Sequence, residues 1–286
     1  MKSGFVAVAG RPNVGKSTLV NALCGAKVAI TSTVPNTTRR KVLGVANGRA
    51  HQLVLVDLPG FQRPIDALTE RMQQTVDASF EDVDAILLVV DARERIGAGD
   101  RFVARRVFSL AKPVVIAVNK VDRLKSGHVL SQMKTASGLG GFHALHPVSA
   151  KTKDGVGELR DDLVYILPEG PPYFPRDETT DLTLEERVAE VIREKALHLT
   201  REEVPHAVTV EVDEIGERAV RALVLVETES QKGILVGRRG AMVREIGSRA
   251  RPEVEALVGH KVFLELVVKV RPRWRRDPRT LERLGL

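Results

Sequence analysis

Eight consecutive residues carry the clearest chemistry in the chain. Gly10-Arg11-Pro12-Asn13-Val14-Gly15-Lys16-Ser17 has the spacing G-x4-G-K-S. Glycines let main-chain N–H groups turn inward around an anion, and a helix opening at the lysine adds its positive end. Lys16 can reach the outer phosphates of a nucleotide, and the hydroxyls of Ser17 and Thr18 follow it. The Ser17 hydroxyl is of the type that ligates Mg²⁺. The chemistry predicted is the gripping of a nucleoside triphosphate in a P-loop.

Three further clusters follow in order. Asp57-Leu58-Pro59-Gly60 offers a carboxylate to hold Mg²⁺ through water and a glycine N–H to sense a γ-phosphate. A D-x-x-G string alone occurs about once by chance in a chain of this size, so its weight comes from its place after an apolar run. Asn119-Lys120-Val121-Asp122 is an N-K-x-D string. The Asp122 carboxylate can accept from guanine N1–H and N2–H, a donor pair that adenine lacks. Asn119 can bridge loops and touch the purine edge while the Lys120 stem lies on its face. Ser149-Ala150-Lys151 comes last, with the Ala150 N–H expected to donate to guanine O6. Between the first two clusters, Pro35-Asn36-Thr37-Thr38-Arg39-Arg40 is polar and carries the hydroxyl a GTP switch needs over its metal. Thr38 is the first choice for that role and Thr37 the second. Lys16, Thr38 and Gly60 are the candidates for acting on the γ-phosphate.

The elements that must position these groups follow from hydrophobic pattern. Phe5–Ala9, Leu53–Val56, Ala85–Val90, Val114–Val118 and Ala144–Val148 are short apolar runs, several of them continuous, as in strands buried on both faces. Helical patterns alternate with them over Ser17–Leu23, Ala67–Phe80, Arg101–Leu110, Val129–Ser137 and Gly157–Ile166. Such alternation predicts an α/β domain with a mostly parallel sheet flanked by helices. Each cluster then falls at the carboxyl end of a strand, where open α/β sheets bind their ligands. Val42–Ala46 reads as an added antiparallel edge strand, turned by Asn47-Gly48.

Pro168-Glu169-Gly170-Pro171-Pro172-Tyr173-Phe174-Pro175 cannot continue a helix or a central strand. The predicted division is a nucleotide domain over 1–168, a linker over 169–182 and a second domain over 183–286. The second reads as helix (184–199), strand (207–215), strand (221–227), short helix near Lys232, glycine-bounded loop, helix (242–258) and strand (262–270). This is a smaller α+β arrangement.

Charge is sorted along the chain. Net charge is +7, and residues 231–286 hold 14 Lys and Arg against 6 Asp and Glu, while residues 176–230 hold 7 against 15. A concentrated basic stretch points to an anionic partner. Within it, Gly237-Arg238-Arg239-Gly240 lies between two helical patterns, as the G-x-x-G loop of KH domains does, where it clamps single-stranded nucleic acid. Lys232, Gly233, Ile234, Gly237, Arg238, Arg239, Gly240 and Arg244 are the candidate RNA contacts there, with Ile234, Val236, Ile246 and Val262 as a candidate apolar floor. Arg273 and Trp274 in the basic tail add a cation and an aromatic suited to a phosphate and a stacked base, with a solvated basic tail whose Trp274 docks on the domain as the equal alternative. The single cysteine, Cys24, allows no intramolecular disulfide and suits a cytoplasmic location. A strand beginning at Phe5 leaves no room for a cleaved leader, and no apolar run reaches the roughly 20 residues of a membrane helix.

Taken together these strings resemble the Era family, translation-factor-like bacterial GTPases with a C-terminal type II KH domain. The resemblance spans nearly the whole chain. It rests on the segment 10–19, Asn36-Thr37-Thr38-Arg39, Asn119 to Asp122, Glu229 to Met242 and Lys261 to Leu266. It implies a GTP- and GDP-binding switch that hydrolyses GTP with Mg²⁺, binds 16S rRNA near its 3′ end and assists assembly of the 30S subunit. It also implies a cytoplasmic monomer with peripheral contact to the inner membrane face. Three departures are visible: Leu58 replaces a usual threonine, Arg238 a common lysine and Val267 a frequent tryptophan. Many small GTPases orient water with a glutamine where this chain has Phe61, and Gln62 is one position late. For related GTPases with an apolar residue here, the resemblance implies a K⁺ ion held partly by Asn13. The alternative is a GTPase of another branch acting in tRNA modification or signalling. The lack of a C-terminal cysteine and the single set of nucleotide motifs count against it. A passive RNA-binding module with a decayed nucleotide domain is disfavoured by the intact Lys16, Ser17, Asp57, Asn119 and Asp122.

Overall fold

The computed structural model describes residues 1–32, 34 and 37–286. Pro35 and Asn36 of the threonine-bearing loop lie outside them. The chain forms two compact units: one from the described residues of 1–29, 36–64 and 69–181, the other from those of 30–35, 65–68 and 182–286.

The first unit runs β1 (Lys2–Ala9), α1 (Lys16–Cys24), β2 (Val42–Asn47), β3 (His51–Asp57), α2 (Ala67–Ser79), β4 (Ala85–Asp91), α3 (Ala98–Phe108), β5 (Val114–Asn119), α4 (Ser126–Ser137), β6 (Ala144–Val148) and α5 (Val156–Ile166). Its six strands are ordered β2-β3-β1-β4-β5-β6. All neighbours pair in parallel except β2 with β3. The continuous apolar runs have a simple cause: both faces are covered. Strand β4 sends Leu87 and Val89 into a core with Leu19, Leu53 and Leu159. Its Ile86, Leu88 and Val90 enter a second core with Phe80, Val103 and Ile116. Because β1, β3, β4, β5 and β6 are parallel, their carboxyl ends share one rim, and every nucleotide motif lies on it.

The β2–β3 hairpin departs from the expected turn. Asn47 pairs with Gln52, and the Gly48 N–H donates to the His51 carbonyl at 2.9 Å. The two turn residues are therefore Arg49 and Ala50, with Gly48 still in the paired arms. The hairpin is one step longer than the Asn-Gly signal indicated, because pairing continues through both positions.

The proline-rich stretch after α5 is laid against this same unit. The Val45 N–H donates to the Thr179 carbonyl at 2.9 Å. Leu43 N–H donates to Asp181 Oδ1 at 2.9 Å, and Asn47 Nδ2 to the Glu178 carbonyl at 3.0 Å. Gln52, fully buried, accepts from the N–H groups of Tyr173 and Phe174. Residues 178–181 thus strap the outer edge of β2, while 173–174 are tied to Gln52 of β3.

The second unit contains α6 (Leu184–Leu199), α7 (Val204–Ala207), β7 (Thr209–Ile215), β8 (Ala219–Val226), α8 (Glu229–Val236), α9 (Ala241–Val258), β9 (Phe263–Val270) and α10 (Pro278–Arg283). The sheet is ordered β7-β8-β9, with β7 antiparallel and β9 parallel to β8. Capping boxes start two helices: Thr183 with Glu186 at α6 and Thr228 with Gln231 at α8. One core joins Val188, Ile192, Val224, Leu235, Ile246 and Val254. The short helices α7 and α10 were not expected from the pattern, since four and six residues show too little periodicity.

Candidate functional site

The phosphate cradle follows from backbone conformation. Gly10, Asn13 and Gly15 have φ of 156°, 64° and 97°. A Cβ at Gly10 would stand 2.6 Å from the Val89 carbonyl oxygen, and one at Gly15 would collide with the Asn119 amide. Both positions therefore need glycine. Lys16 opens α1 and is buried, with Nζ donating to the carbonyls of Gly10 and Arg11 at 3.2 and 3.1 Å. Burial lowers its pKa to about 8, with the Asp57 charge opposing the shift. This ammonium is held across the loop mouth by neutral carbonyls, which a phosphate would displace. Arg11 turns away from the cradle to Asp100 and Glu94, each at 2.8 Å.

Ser17, Thr38 and Asp57 meet beside the cradle. Ser17 Oγ donates to Asp57 Oδ2 at 2.7 Å and lies 3.0 Å from Thr38 Oγ1. Thr38 Oγ1 donates to the same carboxylate oxygen at 3.3 Å. Asp57 is fully buried, and its Oδ1 has no hydrogen-bond partner among the described residues. Burial raises its pKa, against the bonds from Ser17 and Thr38 and the Lys16 charge. A buried carboxylate with one orphaned oxygen and two hydroxyls beside it is a donor set for a hard divalent cation. Among the described residues no group of three His, Cys, Asp or Glu could hold a metal. A cation here therefore needs hydroxyl and phosphate oxygens to complete its shell.

The loop after β3 is tightly placed. A Cβ on Gly60 would lie 2.8 Å from Pro12 Cγ and 2.9 Å from Pro12 N. The backbone of Gly60 therefore runs against the cradle. Gln73 Nε2 donates to its carbonyl at 3.1 Å. Leu58 and Pro59 are buried. Phe61 stacks on Phe80, with centroids 5.8 Å apart, and packs into the second core. Gln62 Nε2 contacts Met72 Sδ at 4.0 Å.

The purine end centres on Asn119, which is buried at the end of β5. Its Nδ2 donates to the Val14 carbonyl at 2.9 Å, and its Oδ1 accepts from the N–H groups of Lys120 and Ala150 at 2.8 and 3.0 Å. The Ala150 amide, expected to meet guanine O6, donates here to Asn119, whose carboxamide ties three loops together. Ser149 Oγ donates to Asp122 Oδ1 at 2.8 Å and leaves Oδ2 for a ligand edge and Arg123. Lys120 has a φ of 71°, which throws its side chain back over the cradle. Its Nζ donates to the Asn13 carbonyl and, at 2.7 Å, to Asp91 Oδ2. Val121 packs into the second core, and Lys151 is exposed. Asp91 escaped the motif search because β4 carries no named string. The available signal was a lone carboxylate ending a continuous apolar strand on the ligand rim.

In the second unit, Gly237 (φ 69°, ψ 175°), Arg239 (φ 51°) and Gly240 (φ 76°) turn the chain between α8 and α9. A Cβ at Gly237 would stand 2.9 Å from the Met242 N. Arg238, Arg239 and Arg244 line this turn and the helix start, Gly233 and Ile234 are exposed, and Lys232 is half-buried. Of the expected apolar floor, Ile246 and Val262 are buried in the core and Ile234 is 47% exposed. Trp274 is also corrected: it is fully buried, with Nε1 donating to the Ala207 carbonyl at 2.8 Å. No face of its ring is open to a base, because this unit uses it as core. Arg273 is exposed beside it.

The G-x4-G-K-S turn after β1, the D-x-x-G string after β3 and the N-K-x-D string after β5, set on one rim of a mostly parallel sheet, define a P-loop GTPase domain, carried here with a second sheet-and-helix unit bearing a G-x-x-G loop. The family model for 50S ribosome-binding GTPases matches residues 5–120, and the KH domain model matches residues 203–275. GTPase Era of Heliobacterium modesticaldum is 42% identical over 290 residues, covering 100% of this chain and 97% of the relative. GTPase Era of Mycobacterium tuberculosis is 45% identical, covering 99% and 98%. The crystal structure of a single-site variant of Aquifex aeolicus Era bound to GDP.AlF4- superposes with a TM-score of 0.95 at 39% identity, covering 100% of this chain and 99% of that one. A structure of Era in complex with MgGDPNP and nucleotides 1506–1542 of 16S ribosomal RNA matches with the same values. The chain belongs to the Era family of GTPases.

Proposed function

We propose that this chain is a GTP-hydrolysing switch that binds 16S rRNA near its 3′ end and assists assembly of the 30S subunit. The observation that carries the reading is the convergence of Lys16, Ser17, Thr38 and Asp57 at the cradle, on a chain that also bears the Arg238 and Arg239 of a G-x-x-G loop. The relative solved with MgGDPNP and nucleotides 1506–1542 matches along the whole chain, KH domain included.

In this reading residues 10–18 and 57–61 hold the phosphates, and Asn119 to Asp122 with Ser149 to Lys151 hold the base. Mg²⁺ would be held by Ser17, Thr38 and Asp57, and supplies neutralisation of phosphate charge when bound. Lys16 meets the β- and γ-phosphates, and the Gly60 N–H meets the γ-phosphate. With Phe61 in the core, the protein lacks a side chain in the usual water-orienting place. Intrinsic hydrolysis is therefore slow, and a K⁺ ion held partly by Asn13 would supply further positive charge. The nucleic-acid face comprises Lys232 to Ile234, Gly237 to Gly240, Arg244 and Arg273. The protein acts as a cytoplasmic monomer, and its basic C-terminal stretch is the surface for peripheral contact with an anionic membrane face. No helix among the described residues is long and apolar enough to cross a membrane.

The test is GTP hydrolysis with and without an RNA of the 16S 3′ end, in sodium and in potassium buffers, with ATP as competitor. The reading expects GTP preference, acceleration by RNA, and a potassium effect lost in Asn13→Ala. Equal competition by ATP would refute it, and equal rates in the two salts would remove K⁺ alone.

A further inference from the structure

The lysine of the guanine motif does not hold itself in place. Lys120 leaves the backbone in a left-handed conformation, and its stem passes over Gly15, where an added Cβ would lie 3.4 Å from Lys120 Cε. A four-carbon chain has many rotamers, and this one is stretched between two acceptors. One is the Asn13 carbonyl. The other is the carboxylate of Asp91, the last residue of β4, which is 3% exposed and pairs in register with Asn119. The Ala92 N–H donates to the Asn119 carbonyl at 2.8 Å, so the ends of β4 and β5 are fixed together.

The rest of Asp91 is committed. Its Oδ1 accepts from Arg93 N and Nε at 2.9 and 3.1 Å, and its Oδ2 accepts from Arg93 Nη2 at 2.8 Å. Burial alone would push this carboxyl up, but the bonds from Arg93 and Lys120 outweigh burial and hold it below the usual range. A buried, charged acceptor with fixed geometry restrains an ammonium far better than a loop carbonyl alone.

We propose that Asp91 is a positioning residue for guanine-nucleotide binding, acting through Lys120 by pinning its ammonium so that the stem is already laid where the purine face rests. Asp91 touches neither base nor phosphate. It removes the rotamer entropy that Lys120 would otherwise lose on binding, a saving equivalent to about five- to tenfold in affinity. Arg93 orients and balances the carboxylate from its solvent side. The inference rests on the guanine-site assignment, which the GTP preference of the unaltered chain tests separately.

The experiment is a double-mutant cycle on the full chain, with fluorescent GDP binding and steady-state GTP hydrolysis as readouts. Asp91→Ala should weaken GDP and GTP alike about five- to tenfold, raising KM while kcat at saturation stays within about twofold. In a Lys120→Ala background the same change should cost nothing further. Asp91→Asn keeps a neutral acceptor for Nζ and should fall between Asp91→Ala and the native residue. It also supplies the cycle if Asp91→Ala fails to fold. Full additivity of the two substitutions would overturn the proposal, since a carboxylate that merely stabilises the strand end would be missed equally with or without Lys120. A fall in kcat without a change in KM would overturn it too.

Discussion

The buried Lys16 sets a proton balance that can be measured. Its pKa in the free protein is about 8 against 10.5 when exposed, with burial as the cause. Between those values the unfolded chain binds more protons, so this group's contribution to stability rises with pH from about 8 to 10.5 and is least favourable below 8. A triphosphate reverses the environment and restores the charge. GDP binding at pH 8.5–9 should therefore take up a fraction of a proton, and its affinity should decline as pH rises through about 8. Calorimetry in buffers of different ionisation enthalpy reads the uptake directly, and zero uptake at pH 9 would contradict it. Residues of this kind were legible in the sequence because their motifs fix both backbone and chemistry. The Ala150–Asn119 bond and the burial of Trp274 were not. The partner of Ala150 is set by the Asn119 carboxamide 31 positions away, and the Trp274 ring sits in a core that its basic neighbours disguise.

Elements were legible where one physical rule governed a long run. The two-faced burial of β4 wrote itself as unbroken Val, Ile and Leu, and α6 announced itself through its apolar period. Short pieces were less visible: α7 and α10 have too few residues for a period, and the β2–β3 turn follows from register rather than from the Asn-Gly pair. The loop between α8 and α9 allows a prediction at this scale. Gly237, at φ 69° and ψ 175°, occupies a region open essentially to glycine alone, against the Met242 backbone. Gly237→Ala should cost about 1–3 kcal/mol of second-unit stability. It should also weaken RNA binding, while GDP affinity stays unchanged. Chemical denaturation and filter binding check both halves. The Trp274 anchor gives a larger effect: Trp274→Ala should destabilise the same unit by about 3–5 kcal/mol, and a loss below about 1 kcal/mol would show that the ring is not core.

At the scale of the molecule, the sequence marks its own division through charge and proline, yet it hides how far the first unit extends. Proline-rich composition reads as a spacer, whereas residues 178–181, which follow the prolines, are hydrogen-bonded along β2. An outermost strand with bare amides and carbonyls is a template for another molecule's strand. The strap occupies that template. A fragment ending at Pro168 would leave β2 open, and should self-associate with concentration in light scattering. One ending at Asp181 should stay dispersed. The short run 178–181 is in this sense a guard against aggregation, carried by the catalytic unit on its own flank.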